Sequence, residues 1–237
     1  MPRFDAVLFD NGKTLFHRPS AVASIVLLAG RCNVTVTEAE AAAAWAAVKA
    51  GKQRGPEHRL ERNSSQESHR GYYIRQYQPL EQLAEGLAEL FYVEHKTSPR
   101  TMLPYPDTPR VLRALKRKGL AVGVVSNTGW DISQGYMLIG IDDLIDTWVL
   151  SWQHGTAKPD PQLFTRACEQ LGVLPSRALM VGNDAEADGG AAAIGATVLI
   201  LPEVRSGQER GLSAVLDLLD NDASRDGDAP PVPSTAI

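Results

Sequence analysis

Phe4-Asp5-Ala6-Val7-Leu8-Phe9-Asp10-Asn11-Gly12-Lys13-Thr14-Leu15 is the stretch on which the fold turns. Its first half is near-continuously apolar rather than alternating, the pattern of a strand covered on both faces, and it stops on an aspartate. Four later runs have the same character: Leu120–Ser126, Thr147–Ser151, Ala178–Gly182 and Ala196–Leu201. Helical patterns separate most of these. Thr108-Pro109 opens one with proline at its favoured first-turn position, and Gly119 closes it after Lys116-Arg117-Lys118. Asp160-Pro161 opens another, with a stripe of Leu163, Phe164, Ala167 and Leu171 ending at Gly172. Strands alternating with helices predict an α/β fold with a three-layer, Rossmann-like parallel sheet.

Residues 18–100 break that rhythm. They contain no strand pattern but several helix starts: the capping box Thr37-Glu38-Ala39-Glu40, a second start at Ser64-Ser65-Gln66-Glu67, and a further helix from Leu80 to His95. An inserted all-helical cap domain is expected over 18–100, with an α/β core from 1–17 and 101–220. The tail 221–237, rich in Asp, Ser, Pro and Gly, is expected to be disordered.

The 237 residues are 43% hydrophobic and 22% charged, with a net charge of -4, enough apolar material for a sizeable core. That charge argues against a nucleic-acid or anionic-membrane partner. The longest apolar run, 21–30, is too short to span a bilayer and reads as a buried helix. Cys32 and Cys168 lie far apart without metal-ligand spacing, so a reducing cytoplasm is the expected setting for a monomer or homodimer.

In an open parallel sheet, ligands bind beyond the carboxyl ends of the strands. There stand Asp10, Ser126-Asn127-Thr128, Lys158-Pro159 and Gly182-Asn183-Asp184, with Asp188 four residues later. Phosphoryl transfer requires such a set: a carboxylate to attack phosphorus, hard oxygen ligands for magnesium, and a hydroxyl and lysine for the phosphoryl oxygens.

These four elements, in this order, resemble the motifs of the haloacid dehalogenase superfamily over roughly residues 4–202, and the helical insertion resembles its C1-type cap. Pro104-Tyr105-Pro106-Asp107 resembles the family's return into the core. The resemblance implies a magnesium-dependent hydrolase of small phosphomonoesters such as sugar, cyclitol or nucleotide-related phosphates. Asp10 would be the nucleophile and a metal ligand, with the Gly12 carbonyl as a second ligand. Ser126 would hydrogen-bond the phosphoryl group with Asn127 nearby, and Lys158 would pair with Asp10 and phosphate. Asp184 would be the motif-four magnesium ligand, Asn183 could offer a neutral oxygen, and Asp188 would ligate through water or position Lys158.

Two departures stand out. Gly12 occupies the position of the usual general acid, and Asn183 displaces the common aspartate of motif four. His17 is the nearest titratable stand-in for the acid, and Lys13 is a further candidate to reach phosphate. The alternatives are carbon–halogen hydrolysis at the same aspartate, which needs no magnesium, and a weak or non-catalytic scaffold.

Overall fold

The computed structural model describes residues 3–53, 55–205 and 207–226. In chain order, β1 (Ala6–Phe9) and β2 (Phe16–His17) precede α1 (Ala21–Arg31), α2 (Glu38–Ala50), α3 (Pro56–Glu61), α4 (Gln66–Tyr77) and α5 (Leu87–Phe91). Then come β3 (Leu103–Pro104), α6 (Thr108–Arg117), β4 (Ala121–Ser126), α7 (Ser133–Met137) and β5 (Thr147–Leu150). The chain continues through α8 (Ser151–His154), α9 (Pro161–Leu171), β6 (Ala178–Gly182), β7 (Thr197–Ile200) and α10 (Ser213–Asp226).

All five apolar runs enter one parallel sheet of order β5-β4-β1-β6-β7. Alternate residues of each inner strand feed opposite faces. Val7, Phe9, Val122, Val124 and Val181 join α6 residues Val111, Leu112 and Leu115 in one cluster. Leu8, Val125 and Met180 join α9 residues Leu163, Phe164 and Ala167 in the other. Because both faces are covered, the strands read as unbroken apolar runs. The third run stops one residue earlier than expected: Ser151 begins α8, and its hydroxyl donates to the carbonyls of Asn63 and Thr128.

The helices between Ala21 and Thr97 pack around a separate cluster that includes Ile25, Leu28, Val48, Leu80, Leu87 and Phe91. The capping box at Thr37 forms as read, with Thr37 and Glu40 bonding each other's backbone N–H. Two expectations are corrected. The apolar run at 21–30 is amphipathic rather than buried throughout, because Leu27 is 70% exposed while Ile25 and Ala29 are covered. The helix expected over Leu80–His95 is interrupted: a 3₁₀ turn, Gln78–Gln82, leads to Gly86 in the left-handed conformation, and α5 starts there. The Glu81 carboxylate accepts from the N–H groups of Gly86 and Ala88, so the break carries its own cap. At the C-terminus, α10 continues to Asp226, so residues 221–226 are helical rather than disordered; 227–237 lie outside the described residues.

A small antiparallel pair, β2 with β3, joins the helical block to the sheet. It sets Phe16 opposite Pro104 and His17 opposite Leu103. Downstream, the buried Asp107 carboxylate accepts from the N–H groups of Arg210, Gly211 and Leu212 at 2.8–2.9 Å.

Candidate active site

The loops after β1, β4, β5 and β6 meet around a cavity of about 620 Å³. At its floor the Lys158 ammonium lies 2.7 Å from Asp10 Oδ1 and 2.6 Å from Asp188 Oδ1. Lys158 is 1% exposed. Burial alone would push its ammonium down, but Asp10 and Asp188 outweigh that and hold it above its ordinary value. Burial pushes the Asp10 carboxyl up, against the pull of Lys158. With both carboxylates ionised, two buried anions share one cation, which leaves the site one negative charge in excess.

The other Asp188 oxygen accepts from the backbone N–H groups of Asn183 and Asp184, both at 2.9 Å. Asp188 is thus fully engaged, holding Lys158 with one oxygen and the motif-four loop with the other. Asp184 is exposed; its Oδ1 accepts from Glu186 and Ala187, and Oδ2 has no hydrogen bond among the described residues.

The Asn183 amide tests whether a cation fits. Turned one way, its nitrogen donates to the Gly12 carbonyl at 2.9 Å, Asp10 Oδ2 at 3.2 Å and Thr14 Oγ1 at 3.3 Å. Turned the other way, its oxygen accepts from the Thr14 hydroxyl at 3.3 Å but faces two further acceptors, the Gly12 carbonyl and Asp10 Oδ2, a cluster that a hard cation reconciles. The excess negative charge beside it has the matching sign. Asp10, Gly12 and Asn183 therefore suit magnesium, although no three His, Cys, Asp or Glu side chains form a metal-binding group among the described residues. Most of the donors are neutral.

Ser126, at the end of β4, is buried and lines the cavity, and its hydroxyl has no hydrogen-bond partner among the described residues. Asn127 turns away from that role. Its side chain accepts from the Lys158 N–H at 2.7 Å and donates to the Lys158 carbonyl at 3.0 Å, pinning the lysine loop from both sides. Lys13, at φ 65°, pairs with Glu203 at 3.0 Å, both being exposed. His17 lines the cavity with its ring 5.0 Å from that of Tyr105.

Arg210 belongs to no motif and was not anticipated. It is 1% exposed and donates to the carbonyls of Lys13 (2.5 Å), Pro202 (2.5 Å) and Leu201 (3.2 Å), clamping the loop after β1 to the loop after β7. The helical block contributes Arg18, Arg59, Arg62 and Lys96 to the same cavity. Arg59 crosses to Glu186 at 2.8 Å. Gly129, in the loop after β4, lies so close to His69 of α4 that a Cβ there would overlap the imidazole. Trp130 and Trp152 pack against the sheet cluster, and Trp130 also lines the cavity beneath the Arg18 guanidinium. Arg54 lies outside the described residues.

A putative pyrophosphatase PpaX from Clostridium perfringens is 40% identical over 80 residues, covering 33% of this chain and 37% of that protein. Phosphatase MT3486 from Mycobacterium tuberculosis is 34% identical over 128 residues, covering 53% of this chain and 58% of that protein. The chain thus spans less than two thirds of the length of these curated relatives. A phosphatase structure from Thermococcus onnurineus shares the fold, with a TM-score of 0.58 and 22% identity over 91% of this chain and 98% of that one. The haloacid dehalogenase-like hydrolase model matches residues 4–195, from β1 to the turn before β7 and through every motif around the cavity. The chain belongs to the haloacid dehalogenase-like hydrolase family.

Proposed function

We propose that the chain hydrolyses a small phosphomonoester with the help of magnesium, through an aspartyl-phosphate at Asp10. The observation that carries this reading is the Asp10–Lys158–Asp188 array at the cavity floor. Lys158 is fixed by Asp188 and by the Asn127 bracket around its backbone. It therefore orients the nucleophilic carboxylate and presents a cation to the phosphoryl oxygens. Ser126 offers them a free hydroxyl. Asp10, the Gly12 carbonyl and Asn183 would hold the magnesium, with Asp184 Oδ2 within the same loop. When bound, the metal offsets repulsion between the carboxylate and the phosphate.

The test is a panel of phosphomonoesters assayed with magnesium and with EDTA. Turnover is expected with magnesium, falling at least about a hundredfold in EDTA. Hydrolysis of a 2-haloacid in EDTA, with no phosphomonoester turned over, would overturn the reading.

Gly12 makes a second expectation specific. A Cβ built there meets nothing within 4 Å, so an acid can be installed without collision. Gly12→Asp is expected to raise kcat about 10- to 100-fold on alkyl phosphates, whose alkoxide leaving groups need a proton. It should raise kcat far less on p-nitrophenyl phosphate, whose leaving group does not. Equal effects on both would show that protonation of the leaving group is not what the native site lacks.

A further inference from the structure

The cations that the helical block turns toward the cavity are poorly matched by anions. Among the described residues, no carboxylate lies within 4.0 Å of Arg18, Arg62 or Lys96, whereas Arg70, Arg75 and Arg31, on the outside of the same block, pair with Glu89, Glu61 and Glu94. Arg18 donates instead to the carbonyls of His95 and Ser98 and to Thr101, and stacks over Trp130. Lys96 sits 4.3 Å from the centre of the Tyr73 ring, and Arg62 5.9 Å from that of Tyr72. Arg59 spends one nitrogen on Glu186, while its Nη1 is buried without an acceptor among the described residues.

The field of these cations reaches a neighbouring phenol. Burial would push the Tyr73 phenol up, yet Lys96, Arg62 and Lys52 draw it below its ordinary value. Partly buried cations that lack counter-ions cost folding free energy, and an anionic ligand would offset that cost. These cations line the same cavity as Asp10 and Lys158, opposite a floor that suits a phosphoryl group.

We propose that Arg18, Arg62 and Lys96, with Arg59 beside them, form a subsite for a second anionic group, so that the substrate is a small phosphomonoester that also carries a carboxylate or a second phosphoryl group. The proposal rests on the phosphatase reading for the placement of the first phosphoryl group, and it deepens that reading to a substrate class. A phosphorylated neutral sugar or cyclitol would leave these cations unmatched. A doubly anionic substrate would bridge floor and roof of the cavity, and a charge-assisted hydrogen bond to guanidinium or ammonium would discriminate it from a neutral analogue.

Phosphonates separate this subsite from catalysis, because they bind without being hydrolysed. By calorimetry in magnesium, 3-phosphonopropionate and methylenebisphosphonate are compared with propylphosphonate on the native protein and on Lys96→Met and Arg62→Met. At least one doubly charged ligand is expected to bind ten times more tightly than propylphosphonate or better. Each variant should lose most of that preference while melting within a few degrees of the native protein. A carboxylate source favours the first ligand and a second phosphoryl group the second. Equal affinity for all three ligands, no binding of any, or a preference that survives both substitutions would overturn the subsite. Turnover of p-nitrophenyl phosphate, measured alongside, decides the phosphatase reading separately, since that substrate carries no second anion.

Discussion

Asp10→Asn is expected to lose at least about 10⁴-fold in kcat toward p-nitrophenyl phosphate, while folding as well as the native protein or better. The amide keeps the shape of the carboxylate but cannot attack phosphorus as an anion. Folding should survive because of the charge balance at the cavity floor. In the native protein Asp10 and Asp188 share Lys158; in the variant one buried carboxylate faces one buried ammonium. Burial raises the Asp10 carboxyl above its unfolded value. Such a group favours the fold when protonated, below its unfolded pKa near 3.8, and that contribution is lost as pH rises through the folded value. At neutral pH the ionised carboxyl therefore weighs against folding, and its replacement removes that weight. Steady-state kinetics and thermal melts at pH 7.5 check both halves. A variant that keeps more than a hundredth of native activity would remove Asp10 from the nucleophile's role. A collapse of the melting temperature would show that the Asp10–Lys158 pair holds the loops together more than it strains them.

The sheet was legible because its inner strands are buried on both faces: in β1, Val7 and Phe9 serve one cluster and Leu8 the other, so nothing in the run can be polar. Asp10, Ser126, Lys158 and Asp188 were legible because residues at the carboxyl ends of parallel strands must meet. Their division of labour was not. Whether Asn127 faces ligand or brackets the lysine loop depends on where the loop after β5 passes, and no local pattern encodes that. The pairing of Phe16–His17 with Leu103–Pro104 joins two-residue segments more than eighty positions apart, too short to show any period. Arg210 reads as an ordinary surface arginine in a polar stretch, and only the fold shows it buried against three carbonyls. The cationic roof has the same origin. Arg18 precedes α1, Arg62 follows α3 and Lys96 lies beyond α5, and tertiary packing alone brings them to one cavity.

Burial, with that roof beside it, is expected to make the helical block more sensitive to mild acid than the sheet. His69 is 2% exposed, its Nδ1 lies 2.9 Å from the Tyr92 hydroxyl, and its imidazole is pushed down to about 2, by burial first and then by Lys96, Arg62 and Arg18. His95 stacks on Phe91 with its Nδ1 2.9 Å from Ser24 Oγ; burial, then Arg18 and Lys96, push it down to about 4. Both pKa values lie below the unfolded value of 6.5. Each neutral ring therefore contributes stability that is fully present above pH 6.5 and lost as pH falls toward the folded value. Each unit below 6.5 removes about 1.4 kcal/mol per histidine, so at pH 5 the pair withdraws about 4 kcal/mol, a large share of a typical domain's stability. The carboxylates held low in the fold, Asp5 by Arg177, Glu40 by Thr37 and Glu203 by Lys13, lose their contribution only below about pH 4.5. Among the groups that withdraw stability as pH falls, the interval from 6.5 to 5 therefore belongs to histidine, with His154, pushed down by burial and Arg166, acting in the same direction and Asp10, raised by burial, acting against them as it protonates. Thermal melts are expected to fall steeply across that interval, with hydrogen exchange in α4 and α5 accelerating before exchange in β1 and β4. His69→Gln should flatten the slope, because its amide takes up no proton there. A melting temperature constant from pH 6.5 to 5 would mean that water reaches these rings in the folded state, and that the cations around them are screened well enough to need no anion at all.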